Sequence, residues 1–315
     1  MATVACIGLG NVGRAWAVVF LRAGHEVCVH DADPAQVLAA LPLIRRTLEQ
    51  LHDAGHLPGG VEAAMTRLVP AASIAEAVQA ADHVQESVRE DLAIKRSVMA
   101  EVAIHAPGDC IIASSTSALP GSSFLSHIQG PGRALVAHPV NPPSLIPLVE
   151  LCGADTTLPE TIDRCRAFMV AAGMKPVTLN REIDGFLLNR LQYTLVAEAL
   201  HLVGEGYCTA EDIDRVMTDG LALRWLSFGP FATAHLNATG GFAGFVAQLG
   251  PMMRHMGQDA RTSYDWGQDL VDRIHAEMAA RIPVGAIPDW QGWRDTRILA
   301  ARGTQSQGET TRPDA

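Results

Sequence analysis

The stretch Thr3-Val4-Ala5-Cys6-Ile7-Gly8-Leu9-Gly10-Asn11-Val12-Gly13-Arg14-Ala15-Trp16-Ala17-Val18-Val19-Phe20-Leu21 decides the fold. Its first five residues form a short apolar run, the pattern of a strand buried on both faces of a parallel sheet. A Gly-x-Gly-x-x-Gly turn follows, then an Ala-rich stretch of helical character that ends at Gly24. Glu26 to Asp31 reads as a second strand, which completes a strand, glycine turn, helix, strand unit. Only glycine permits the tight turn at Gly8, the approach of a pyrophosphate to the backbone at Gly10 and close helix–strand packing at Gly13. Asn11, Val12 and Gly13 open the helix, whose free N–H groups are aimed at phosphates. Asp31, closing the second strand, is placed to accept both ribose hydroxyls and to repel a 2′-phosphate, so the expected cofactor is NAD rather than NADP.

Working outward, the pattern is helical from Asp33-Pro34 to about Met65, with a break between Gly55 and Pro58-Gly59-Gly60. Further strands are expected at Arg67–Val69, His83–Glu86, Cys110–Ser114, Ala134–His138 and Leu148–Leu151, with helical stretches between most of them, and the texture changes after Lys175–Leu179. This alternation predicts an α/β fold, an N-terminal Rossmann-type, doubly wound and mostly parallel sheet. Beyond Asp184-Gly185 the segments are helical, beginning with Phe186 to Glu205. The expected division is a Rossmann domain over 1–183, an all-helical C-terminal domain over 184–302, and a disordered tail over 303–315, rich in Gly, Gln, Ser, Thr and Pro.

A chain of 315 residues accommodates about two domains. At 48% hydrophobic and 18% charged it has the composition of an ordinary soluble globular protein. The formal charge of −10 repels phosphate backbones and anionic membrane surfaces, so neither nucleic acid nor membrane is an expected partner. No apolar run reaches the roughly 18 residues of a membrane span. The N-terminus lacks the pattern of a signal peptide, and the six scattered cysteines form no Cys-x-x-Cys pair and no metal-like cluster with histidine. A cytoplasmic protein without a metal site is expected. Lys95 and Lys175 are its only lysines.

In Val136-Ala137-His138-Pro139-Val140-Asn141-Pro142-Pro143 a histidine stands at the C-terminal end of a strand, the edge where open α/β sheets bind ligands. Glu150 lies on the next strand, within reach of the imidazole if the two strands are neighbours. A carboxylate partner fixes the tautomer and stabilises the imidazolium, as a general base for alcohol oxidation requires. Read alone, His138 serves equally well as a structural, hydrogen-bonded histidine.

The glycine turn, Ser114-Ser115-Thr116-Ser117-Ala118-Leu119, His138-Pro139-Val140-Asn141-Pro142, Leu148-Val149-Glu150 and Gly185-Phe186-Leu187-Leu188-Asn189-Arg190 resemble, in order and spacing, the 3-hydroxyacyl-CoA dehydrogenase superfamily. The resemblance covers nearly the whole chain. The wording of His138 to Pro143, of Asn189-Arg190-Leu191-Gln192-Tyr193 and of His235-Leu236-Asn237-Ala238 is most similar to the lambda-crystallin branch, which contains L-gulonate 3-dehydrogenase. The resemblance implies His138 as general base, Glu150 as its partner, and Ser117 and Asn189 as hydrogen-bonding groups for the reacting oxygen. It implies that Glu90 and Lys95 contact the nicotinamide-side ribose, that Asn141 lies in the substrate site, and that Arg224 can grip a free carboxylate. It also implies a homodimer formed through the C-terminal domain, which agrees with the abundant apolar residues of segments such as Phe186–Val203.

The expected activity is NAD-dependent oxidation of the 3-hydroxyl of a small free 3-hydroxy acid, L-gulonate-like, to the 3-keto acid. L-carnitine dehydrogenases share a Leu-Arg-Trp segment with this chain, and 3-hydroxyacyl-CoA remains open because Arg45, Arg46 and Arg67 are present where acyl-CoA enzymes hold phosphates. A quaternary ammonium would call for an aromatic box, for which Trp225, Phe228 and Phe231 are the residues at hand. An NAD-binding protein used for structure or sensing is the non-enzymatic alternative.

Overall fold

The computed structural model describes residues 1–310, with side chains as far as Ala301. It divides into two compact units, Met1–Leu188 and a second that begins at Asn189.

The first unit is built on β1 (Thr3–Ile7), α1 (Asn11–Arg22), β2 (Glu26–His30), α2 (Pro34–Asp53), α3 (Val61–Met65), β3 (Leu68–Pro70), α4 (Ile74–Val78), β4 (His83–Glu86), α5 (Leu92–His105), β5 (Ile111–Ser114), β6 (Ala134–Pro139), β7 (Leu148–Gly153), α6 (Pro159–Ala171) and β8 (Lys175–Leu179). The eight strands form one sheet in the order β3-β2-β1-β4-β5-β6-β7-β8. Every pair is parallel except β6 and β7. The order reverses between β1 and β4, and the crevice at such a reversal is where dinucleotides bind in doubly wound sheets.

Val4, Ala5, Cys6 and Ile7 are buried, as a strand covered on both faces must be. Helix α2 instead buries only the stripe Ala40, Ile44, Leu48 and Leu51, one face at helical period. Its start is fixed by Asp33, whose side chain accepts from the N–H of Ala35, and by Pro34 in the first turn. The edge strand β3 lies one residue beyond its expected position. Arg67 stays outside it because its guanidinium reaches back to the carbonyls of Ala63 and Leu21, and Pro70 is tolerated at the outer edge. On the sheet, His83 stacks on Phe168 and is held neutral, burial pushing its pKa down to about 4.

Helix α7 (Phe186–Gly204) leads into the second unit, which continues through α8 (Ala210–Arg215), a π-helical stretch at Val216–Leu221, α9 (Ala222–Trp225), α10 (Pro230–Leu236), α11 (Gly241–Met256), α12 (Gln268–Arg281) and α13 (Ile287–Thr310). Of the tail expected to be disordered, residues 303–310 continue α13. Once nucleated, a helix gains one hydrogen bond for each residue fixed, and residues such as Gln and Glu extend it at little cost. Residues 311–315 lie outside the described part of the chain. None of the described helices is long and apolar enough to cross a membrane.

Candidate active site

The glycine turn links β1 to α1 at the switch point. Gly8 has φ +90°, and a Cβ there would come within 2.8 Å of the Ser87 and Val88 backbone. A Cβ on Gly13 would lie 1.8 Å from the Gly8 carbonyl oxygen. Gly10 faces open space. No side chain caps α1 and no acid stands in its first turn, so Asn11, Val12 and Gly13 offer their N–H groups and the positive end of the helix to an anion. This open cradle fits a pyrophosphate. Asp31 is fixed beside it, with Oδ2 accepting from the Leu9 N–H at 2.7 Å and Oδ1 from the Asp33 N–H at 3.0 Å.

Further along the same edge, His138 on β6 and Glu150 on β7 are register partners in the antiparallel pair. His138 Nδ1 lies 2.9 Å from Glu150 Oε2, and both side chains are buried. Oε1 of Glu150 accepts the backbone N–H groups of Leu187 and Leu188, in the first turn of α7. The two backbone N–H groups that meet Glu150 are donors, which suits a carboxylate, and a His138 tautomer with its proton on Nδ1 completes that set and would leave Nε2 with its lone pair. Phe186 stacks on the imidazole at 4.9 Å between ring centres. It holds a left-handed φ of 50°, costly for a bulky residue, where the backbone turns into α7 beneath the imidazole.

Ser117 stands in the exposed loop after β5, which is organised from below by charge. Glu86, at the end of β4, accepts from Lys95 Nζ at 2.9 and 3.1 Å, from the Val88 N–H and from Ser114 Oγ. Lys95 occupies a position on the buried stripe of α5, with Met99 and Val102, and also lies 3.5 Å from Glu90 Oε2. Glu90 Oε1 gathers the Thr116 hydroxyl and the N–H groups of Ser117, Ala118 and Leu119. Desolvation pushes the Glu90 pKa up, but the Thr116 hydroxyl, Lys95 and the Ala118 and Leu119 N–H groups outweigh it, and the net direction is down. Ser115 Oγ is a second junction, meeting Trp16 Nε1, Gln85 Nε2 and Ser87 Oγ.

Gly8, Gly10, Gly13, Asp31, Glu90, Lys95, Ser117, His138, Asn141 and Glu150 are thus all on the first unit. Asn141 is exposed and joined to Pro142 by a cis peptide bond. Asn189 opens the second unit, where Arg224 is exposed on α9. Sequence reasoning assigned no role to Glu86, Ser115, Gln85 or Phe186. No local pattern marks Glu86, which closes β4 after His83, Val84 and Gln85, a strand with a single apolar residue.

The model of the 3-hydroxyacyl-CoA dehydrogenase NAD binding domain matches residues 3–183, and that of the 3-hydroxyacyl-CoA dehydrogenase C-terminal domain matches residues 185–280. The chain belongs to the 3-hydroxyacyl-CoA dehydrogenase family. Among curated relatives it is 39% identical over 300 residues to the lambda-crystallin homolog of Bos taurus, covering 94% of this chain and 93% of that one. It is also 39% identical over 251 residues to the L-carnitine dehydrogenase of Streptomyces griseus, covering 79% of this chain and 74% of the relative. Of solved structures, an NAD+-dependent dismutase, 5-formyl-3-hydroxy-2-methylpyridine 4-carboxylic acid 5-dehydrogenase, superposes with a TM-score of 0.83 at 25% identity, over 97% of this chain and 99% of that one. This member of the 3-hydroxyacyl-CoA dehydrogenase family is an NAD-dependent oxidoreductase acting on CH–OH groups, and its likeness to lambda-crystallin homologs is consistent with the lambda-crystallin branch.

Proposed function

We propose that the chain oxidises the 3-hydroxyl of a small free 3-hydroxy acid, L-gulonate-like, to the 3-keto acid, with His138 as general base. The observation that carries this reading is the buried His138–Glu150 pair at 2.9 Å. It leaves Nε2 as the atom able to take the hydroxyl proton, while Glu150 stabilises the imidazolium that results. Ser117 and Asn189 hold the reacting oxygen, Asn141 contributes to the substrate site, and Arg224 receives the carboxylate in a bidentate fork. Bound NAD supplies the hydride acceptor; Gly8, Gly10, Asn11, Val12, Gly13 and Asp31 hold its adenosine and pyrophosphate half, and Glu90 and Lys95 lie on its nicotinamide side.

A free acid is favoured over a CoA thioester because two of the three arginines that could meet CoA phosphates are already engaged. Arg45 pairs with Glu62, and Arg67 is turned onto the Ala63 and Leu21 carbonyls. L-carnitine is the second reading, favoured by the likeness to L-carnitine dehydrogenases and by Trp225, Phe228 and Phe231 close in sequence to Arg224. The working form is a homodimer made through the helical unit. Six unpaired cysteines, four of them buried, suit the reducing cytoplasm.

The test is NADH formation, followed by absorbance, with L-gulonate, L-3-hydroxybutyrate, L-carnitine and L-3-hydroxybutyryl-CoA at equal concentration. A free acid is expected to have the highest kcat/KM. His138→Ala is expected to lower kcat by about 100- to 10,000-fold with cofactor affinity retained. Preference for the thioester would move the substrate assignment, and a His138→Ala variant as fast as wild type would remove the base.

A further inference from the structure

Two carboxylates and one ammonium meet beneath the Ser117 loop. Glu86 and Lys95 are buried at 0% and 1% side-chain exposure, and Glu90 is 35% exposed. Lys95 Nζ faces both oxygens of Glu86, Oε2 of Glu90 and, at 3.4 Å, the Val88 carbonyl. Those contacts occupy all its protons, so it neutralises one carboxylate and the group keeps an unbalanced negative charge. Arg96, the next residue, does not offset it closely, since its guanidinium is spent on the Ser123 carbonyl at the exposed surface, where water screens it.

The strand order says what this charge faces. A dinucleotide with its pyrophosphate on α1 and its adenosine ribose at Asp31, beyond β2, has the β4–β5–β6 side left for its nicotinamide half. Glu90 follows β4 and anchors the loop after β5, between the glycine turn and His138 on β6. The ring is positively charged in NAD+ and uncharged in NADH. Alcohol oxidation sends the O–H proton to His138 Nε2 and the carbon-bound hydrogen, with its electron pair, to C4 of the ring, cancelling that charge. A fixed negative group nearby therefore attracts the oxidised form and loses the attraction when hydride arrives.

We infer that the Glu86–Lys95–Glu90 group weights this site toward NAD+ over NADH, so that it favours binding of the oxidised cofactor and release of the reduced one. The inference rests on the dinucleotide reading of the site and adds the redox form that it selects.

The experiment is calorimetric titration of the full chain with NAD+ and, separately, NADH. Glu90→Gln keeps an oxygen to accept the Thr116 hydroxyl and loop N–H groups but removes the charge. It is expected to weaken NAD+ more than NADH, changing the ratio of the two Kd values about 3- to 10-fold. Thr116→Val removes an anchor of the same carboxylate and keeps the charge, so it is expected to change both affinities together. A ratio unmoved in Glu90→Gln, or moved as far in Thr116→Val, overturns the inference while the dinucleotide site stands. A wild-type chain that binds neither form overturns both. Should the Gln chain fail to fold, Glu90→Asp serves, because it keeps the charge: a ratio within twofold of wild type is expected, and a larger shift overturns the inference.

Discussion

Glu150 spends both of its oxygens. Oε1 holds the first turn of α7 through the Leu187 and Leu188 N–H groups, and Oε2 holds His138 Nδ1. The two tasks separate in Glu150→Gln. The amide oxygen still accepts the backbone N–H groups, so the chain is expected to fold with Tm within a few degrees of wild type. The amide NH2 then faces Nδ1, which must become an acceptor, and the proton moves to Nε2. An imidazole in that tautomer has no lone pair where the hydroxyl proton must go. The expected result is a fall in kcat of about 1,000- to 10,000-fold with NAD affinity unchanged, the size of loss a misplaced tautomer causes in hydrolytic triads. Stopped-time kinetics alongside cofactor titration checks it, and a kcat within tenfold of wild type would mean that another group takes the proton.

At the scale of elements, the glycine turn makes two opposite demands. A Cβ at Gly13 would collide with backbone at 1.8 Å, and no flexible side chain is there to move away. Gly13→Ala is therefore expected to cost about 3 kcal/mol in urea unfolding, as severe overpacking does. Gly10 has φ −62° and ψ −170°, open to any residue, and nothing within 4 Å of a Cβ. Gly10→Ala is expected to fold as wild type and to raise the NAD Kd at least tenfold, because the methyl group takes the space the pyrophosphate needs. Wild-type NAD affinity in Gly10→Ala would sink the cradle assignment. These elements were readable in the sequence because a buried parallel strand, a glycine turn and an apolar helix are local patterns. The pairing of His138 with Glu150 was readable for a similar reason, since it needs only that two successive strands be neighbours. Glu86 was not readable, because its partners come from α5, β5 and the Val88 backbone and meet only in the folded chain. Nor was Phe186: a left-handed φ announces itself through glycine or asparagine, and the only such cue was Gly185 beside it. The π-helical stretch Val216–Leu221 and the continuation of α13 past residue 302 escaped for a third reason, since propensity differs little between helix, helix variants and coil for polar residues.

At the scale of the whole molecule, the two units treat apolar residues differently. The first buries them: Trp16, Phe20, Leu48 and Leu51 are at 0% exposure. In the second, the buried residues from Asn189 onward include Ala197, His201 and Val203, while Leu191, Leu195, Leu223, Phe231, Leu236 and Phe242 are exposed. Leu191 and Leu195 are one helical turn apart on α7, so they share a face. Soluble monomers rarely leave so much apolar surface to water, and a second copy of the helical unit is the occupant the family resemblance implies. Folding and association are then one equilibrium, and stability must depend on protein concentration. Light scattering at micromolar concentration is expected to give twice the mass of one chain, and Tm is expected to rise with each tenfold increase in concentration. Leu191→Glu with Leu195→Glu, which places two charges on the shared face, is expected to lower Tm and to shift the mass toward one chain. A single-chain mass for wild type with a concentration-independent Tm would mean that no second copy covers the exposed face of α7.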